Sequence, residues 1–520
     1  MSSPRQIVLC FDGTGNTFQA DDTETNVLRI CRMLEKSDEQ LCYYQPGIGT
    51  DTTPGSLAST TIRRGSPFGS SKTLELALGK SFDRHVLGGY RFLMRHYRDG
   101  AKIFIFGFSR GGYTARFLSE MLDYIGLLGP DNEEVLPFAW DAFKMWKTAR
   151  LNETLPQIQA FQILGHLRQT LCRPTDRVQF LGMFDAVNSV AEFDVNVDAT
   201  PSARFIRHAV SIDERRVKFR PVLLHSHNPS ARRAKSWPPG ADHKKSRGDT
   251  PQDKRKRLSS TFGPSSSRER PKRYSALSDA EFFGDDESDD LTQDVLEVWF
   301  PGGHSDVGGG WAVEAGEARG LNYPPLVWMV REAIRAGIRF SEDRLTEFHC
   351  HEDTLEIDTA NTDNDNDKND NDNETSSRAQ LIDTLQASAQ AGHLHDLLRY
   401  GNGRPFMTVL SWRLMEYLPF RRMDLQPDAS WRDCRWPPPM GGARGLPMDA
   451  LVHVSAIQRM RADPSYRPPN LTQDFIVPRG NADGPDAGVK QWVVHGHRGD
   501  PVRETYIRRY TWSACREQHR

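Results

Sequence analysis

No run of about 18 apolar residues occurs anywhere in the 520-residue chain, so no segment reads as a helix that crosses a bilayer. An excess of one charge is missing too: 67 Lys and Arg stand against 69 Asp and Glu, a net charge of −2. That balance excludes a polybasic protein that binds nucleic acid in bulk, and no nucleic acid is expected among the partners. Cysteine is scarce. Cys10, Cys31, Cys42, Cys172, Cys350, Cys434 and Cys515 are odd in number, scattered, and form no CxxC pair. They point to a reduced intracellular protein, cytoplasmic or nuclear, without a structural zinc site. Targeting signals are lacking as well. Ile7–Phe11 arrives too early for a secretory signal and reads as a strand, Ser2 excludes myristoylation, and Glu517-Gln518-His519-Arg520 matches no prenylation or retrieval motif.

Two stretches are poor in large apolar side chains, and they divide the chain. Residues 226–291 form a charged insertion: Ser226 to Tyr274 carries 14 Lys/Arg and 4 Asp/Glu, whereas Ser275 to Asp294 carries eight acidic residues and no basic one. Such a segment cannot bury enough surface to offset the entropy of ordering it. Its basic half holds Lys244-Lys245 and Lys254-Arg255-Lys256-Arg257, either a two-part nuclear address or half of a self-neutralising loop. Residues 351–379 are a low-complexity Asn/Asp linker. Asp363, Asp365, Asp367 and Glu374 fall on calcium-loop positions, but Lys368 replaces the glycine such a loop needs, so the tract reads as a solvated linker. Around these segments, residues 1–225 and 292–350 read as two parts of one catalytic domain. Residues 380–520 form a C-terminal region, read as a lid or accessory domain. Its densest apolar stretch, Trp412–Phe420, is either a lid or membrane-facing element or a helix packed on the core.

The catalytic part alternates short apolar runs with helical periodicity. Ile7–Phe11, Leu41–Gln45, Ile103–Phe106, Val178–Phe184 and Val295–Phe300 read as strands. Asn26–Leu34 and Glu75–Tyr97, and a segment from about Gly112 to Leu122, carry helical spacing. The fold class this implies is α/β, a mostly parallel sheet with helices on both faces.

What is present at the ends of those strands carries the chemistry. Gly107-Phe108-Ser109-Arg110-Gly111 is a G-x-S-x-G between a buried strand and a helix, the context of a nucleophile elbow. The tight turn needs small flanking residues, and the Arg110 backbone N–H then lies where an oxyanion develops. A serine needs a base, and the base an orienting acid. Asp185 ends the strand Val178–Phe184, and His304 follows Val295–Phe300 in a glycine-rich loop; His208 is the rival base. Asp306, two residues beyond His304, suits hydrogen bonding to that loop better than orienting the imidazole. Asp12-Gly13-Thr14-Gly15-Asn16 follows the first strand, with Gly13 assigned the second oxyanion N–H and Asp12 the shaping of the loop. A phosphotransferase using Asp-Gly-Thr would need an aspartate two positions before Asp12, where Cys10 stands.

In this order, Phe11–Asn16, Gly107–Gly112, Phe184–Val187, His208 with Ile212–Arg216, and Trp299–Gly310 resemble a fungal α/β-hydrolase family that shares its domain with phospholipase effectors of bacterial type VI secretion. The resemblance spans about Gln6 to Ile338. It implies an α/β-hydrolase-like fold and a Ser109–Asp185–His304 triad, with lipid esters as the leading substrate class. Two positions depart from the family pattern: Phe184-Asp185-Ala186 stands in place of Trp-Asp-Thr, and Gly112 in place of alanine. The expected activity is a serine esterase or lipase, with phospholipids among its substrates and peripheral contact with membranes. It needs no organic cofactor and no metal. The alternative is a non-catalytic scaffold of the same fold that recruits partners through the charged insertion.

Overall fold

Nine strands hydrogen-bond into one sheet in this computed structural model, which describes residues 4–13, 23–47, 71–148, 154–188, 202–224, 293–351, 371–401, 405–417, 423–425, 431–433, 441–472, 489 and 491–509. In chain order the strands are β1 (Gln6–Phe11), β2 (Gln40–Gln45), β3 (Lys102–Phe108), β4 (Phe180–Phe184), β5 (Phe205–Ser211), β6 (Asp294–Phe300), β7 (Leu451–His453), β8 (Trp492–Gly496) and β9 (Thr505–Arg508). Their spatial order is β8-β9-β7-β6-β5-β4-β3-β1-β2. Seven of them, β1 through β7, pair in parallel; β9 and β8 complete one edge antiparallel. This is an α/β fold.

Both faces of the central strands are covered, which is why they read as continuous apolar runs rather than alternating ones. Side chains alternate across a strand. Ile7, Leu9, Phe11, Ile103 and Ile105 enter a core that includes Tyr90, Leu93, Phe117, Leu118 and Met121. Val8, Cys10, Phe104 and Phe106 enter the opposite one, with Val27, Ile30, Trp328 and Met329. The first core uses helices α2 (Ser71–His96) and α3 (Arg110–Ile125), the second α1 (Asn26–Met33) and the helix Tyr323–Arg335.

The strand order reverses between β3 and β1, so the turns leaving these neighbours diverge to opposite faces and open a crevice at their carboxyl ends. Open α/β sheets place their sites there. Ser109 follows β3, and Asp12 and Gly13 follow β1.

The structure departs from the sequence reading in three places. Strand β5, which holds His208, has no counterpart among the predicted strands. The helix Asn371–Ala391 begins inside the stretch assigned to the linker. The C-terminal region supplies β7, β8 and β9 to the main sheet, so these three strands share a layer with β1 to β6. The insertion 226–291, the calcium-loop positions Asp363 to Asp367 and the segment Thr14–Asn16 lie outside the described residues.

Candidate active site

Ser109 occupies the turn between β3 and α3 with φ 58° and ψ −125°, a strained conformation for a residue bearing a Cβ. The turn holds it there. Ser109 N donates to Phe184 O (3.0 Å), while Ser109 O accepts from Gly112 N (3.1 Å) and Val187 N (3.2 Å). Glycine is required beside it: a Cβ on Gly107 would meet Gly112 Cα at 2.6 Å, and one on Gly111 would meet Asp12 O at the same distance. Arg110 is the first residue of α3, so its backbone N–H stands at the positive end of a 16-residue helix.

Two loops bring the partners to Ser109. His304 Nε2 lies 2.8 Å from Ser109 Oγ, and His304 Nδ1 lies 2.5 Å from Asp185 Oδ2. Asp185 follows β4, also with positive φ, 37°, and its other oxygen, Oδ1, accepts from Ser211 N at 2.9 Å. His304 opens the short helix His304–Gly308, and its ring is flanked by Phe108 and Phe219 at centroid distances of 4.8 and 4.6 Å. All three side chains are buried. The rival base is elsewhere: His208 sits within β5, its Nε2 accepting from Ala186 N (3.1 Å) and its Nδ1 facing Glu297 (2.9 Å). Both ring nitrogens are thus engaged away from Ser109.

The acid is held by a residue that the sequence analysis did not single out. Arg444 Nη1 donates to Asp185 Oδ1 (2.6 Å) and Nη2 to Asp185 Oδ2 (3.0 Å), a two-point fork. Nη1 also reaches Ser211 Oγ at 2.7 Å, and Nη2 reaches the Phe219 carbonyl. Burial alone pushes the Asp185 carboxyl up, but the Arg444 charge, then the hydrogen bond and charge of His304, outweigh it and hold the group well below the usual carboxylate range. In sequence Arg444 stands in Gly441-Gly442-Ala443-Arg444-Gly445, a glycine-rich loop whose only signal is one cation among small residues.

Burial pushes the His304 imidazole below the ordinary histidine value, and Asp185 recovers only part of that shift. A general base must be neutral to accept a proton, so a lowered value extends the active range toward acid. The acid limb of kcat/KM is therefore expected below about pH 6.5, the unperturbed histidine value. A limb at or above that pH would show His304 to be easier to protonate than its burial implies.

Asp12 and Asp306 serve as loop anchors. Asp12 Oδ2 accepts from Thr25 Oγ1 (2.8 Å) and Tyr44 OH (2.6 Å). Asp12 Oδ1 takes the Gly13 N–H at 2.6 Å. That bond corrects the assignment of Gly13 as a ready oxyanion donor, because its N–H turns outward only if Asp12 releases it. Asp306 Oδ2 accepts from Gly303 N (2.8 Å) and His395 N (3.0 Å); Asp306 braces the glycine loop and leaves the imidazole to Asp185. The two departures from the family pattern face each other, since a Cβ on Gly112 would lie 2.9 Å from Ala186 Cβ. Cys10, Cys31 and Cys42, unrelated by spacing, place their sulfurs within 4.8 Å of one another, with Cys31 and Cys42 Sγ 3.1 Å apart.

The model of the type VI secretion phospholipase effector Tle1-like catalytic domain matches residues 5–332, a span that contains Ser109, Asp185 and His304 with their loops. The chain belongs to this family. An uncharacterized protein of Saccharomyces cerevisiae is 27% identical over 565 aligned positions, covering 91% of this chain and 81% of its own. Two solved structures are also similar. One, an uncharacterized protein from Pseudomonas aeruginosa, is 16% identical with a TM-score of 0.32, covering 74% of this chain and 53% of its own. The other, the Tle1 effector bound to the VgrG spike of the type 6 secretion system, is 16% identical with a TM-score of 0.22, covering 42% and 47%. The chain thus spans about half the length of these two structures. Arg444 lies beyond the residues that the family model matches.

Proposed function

We propose that the chain is a serine hydrolase that cleaves ester bonds of lipids, phospholipids in particular. The observation that carries the reading is the continuous hydrogen-bond sequence Ser109 Oγ–His304–Asp185. With Asp185 ionised, the Nδ1–H tautomer of His304 donates to it and leaves Nε2 to accept the serine proton. Ser109 Oγ then attacks the ester carbonyl carbon, the proton passes to Nε2, and the carbonyl oxygen takes the negative charge near the Arg110 N–H. Collapse of this intermediate expels the alcohol, which leaves with the proton from Nε2. Water, deprotonated by the same imidazole, releases the acid and restores Ser109.

The lipid substrate class is supported by the family and by the surface beside the site. On the helix Phe406–Glu416, Val409 is buried, whereas Phe406, Met407 and Leu414 are 63%, 62% and 59% exposed. Trp412 of the same helix meets Phe219 at 5.6 Å, and Phe219 meets the His304 ring. Solvent-facing apolar side chains close to a nucleophile suit contact with a lipid surface. No helix among the described residues is long and apolar enough to cross a membrane.

A fluorophosphonate probe followed by peptide mapping tests the chemistry, and phospholipid vesicles against a soluble short-chain ester test the substrate class. Labelling at Ser109, with faster turnover on vesicles, is the expected result. Absence of labelling in folded protein would favour the non-catalytic scaffold, and turnover confined to the soluble ester would remove lipids as substrate.

A further inference from the structure

Beside Asp306, two histidines and a glutamate converge. One ring nitrogen of His393, one of His395 and a carboxylate oxygen of Glu314 all lie within 4.8 Å of one another. His393 and His395 stand two apart in a segment without regular structure. Leu394 between them packs on the core, and the two rings sit 4.7 Å apart on one side. The His395 side chain is 7% exposed. Its Nδ1 lies 2.7 Å from Asp306 Oδ1, and its Nε2 lies 3.8 Å from Glu314 Oε1, too long for a hydrogen bond. Trp311 stacks on its ring at 4.8 Å. The Nε2 atoms of both histidines are buried without a hydrogen-bond partner.

Two buried imidazole nitrogens without a hydrogen-bond partner, in neighbouring rings, are a costly arrangement for a protein to keep. A shared cation satisfies both. The geometry points to a divalent transition-metal site, of zinc type, formed by His393, His395 and Glu314. Two imidazoles and one carboxylate are a common three-ligand set for zinc, with water in the fourth position. Ligands on a tetrahedral ion stand about 3.4 Å apart, and Glu314, 52% exposed, has the freedom to close the remaining gap. The other nitrogen of His395 is already fixed by a carboxylate, the usual support of a ligating histidine. Asp306 is that carboxylate, and it also holds Gly303 next to His304. The ion therefore braces the loop that carries the imidazole, from a position separate from the ester-cleaving groups.

Metal-stripped, tag-free full-length protein titrated with Zn2+, read by native mass spectrometry and equilibrium dialysis, tests this. One zinc per chain and a raised Tm are expected. His393→Ala and His395→Ala should each weaken binding at least about 100-fold, since losing even an outer support of a ligand costs up to that much. Glu314→Gln changes a half-exposed side chain and should weaken binding without unfolding the protein. With Co2+ in place of zinc, the spectrum should lack a thiolate charge-transfer band. Failure to bind one equivalent overturns the site. So does binding that survives the double His393→Ala/His395→Ala change, or a thiolate band lost in Cys42→Ser, which would move the ion to Cys10, Cys31 and Cys42.

Discussion

Ser109→Ala is expected to lower kcat/KM for ester hydrolysis by at least about 10³-fold, with the residual rate coming from the Arg110 N–H and substrate binding. The fold should be unaffected, for two reasons. The change deletes one oxygen from a side chain that contributes no core volume, and alanine carries the same Cβ, so the strain at φ 58° is unchanged. Ser109→Gly should be equally inactive but should relax that strain, on the order of 1–3 kcal/mol, less what glycine's extra freedom in the unfolded chain removes. Initial rates on vesicles, set beside thermal unfolding of the same preparations, give both comparisons. An alanine variant that retained most of its activity would sink the nucleophile assignment, and with it the proposed hydrolase.

Arg444→Ala should come next in severity, and it should damage stability as well as rate. Asp185 is fully buried and Arg444 is 7% exposed, so removing the guanidinium strands a carboxylate charge in the interior. Breaking a buried pair from one side costs about 3–5 kcal/mol. Arg444 touches no reacting atom. It is a positioning residue that acts through Asp185, and a misplaced triad is expected to lose about 10²-fold in rate. A pH profile separates this role from mere scaffolding. Without the neighbouring cation, the Asp185 charge is left to stabilise the imidazolium, so the acid limb of kcat/KM should move to higher pH. Arg444→Lys keeps the charge without the fork and should restore the pH profile more fully than the rate. Loss of stability with an unshifted acid limb would reduce Arg444 to a structural contact.

The elements near Ser109 were legible because they are local. A strand buried on both faces must be continuously apolar, as Ile103–Phe106 is, and a turn as tight as Gly107–Gly111 excludes side chains at fixed offsets. His304 and Asp185 could be proposed from their places after apolar runs. The strand that holds His208 escaped notice because Arg207 and His208 interrupt its apolar pattern, with Arg207 paired to Glu332 and Asp294 and His208 to Glu297. Those partners are 125, 87 and 89 residues away in the chain, so their compensation has no local trace.

By itself the sequence determined the α/β class, the serine elbow and a short set of candidates for acid and base, because periodicity and turn sterics act over a few residues. Tertiary structure decided the rest. It placed the His304 ring at Ser109 and the His208 ring inside a strand. It took the Gly13 N–H for Asp12, and it brought Arg444 to Asp185 across 259 residues of chain. It also gathered Cys10, Cys31 and Cys42, and His393, His395 and Glu314, into clusters that no spacing announces. Pairing between groups remote in sequence depends on which strands become neighbours in the sheet, and that is settled only when the whole core packs.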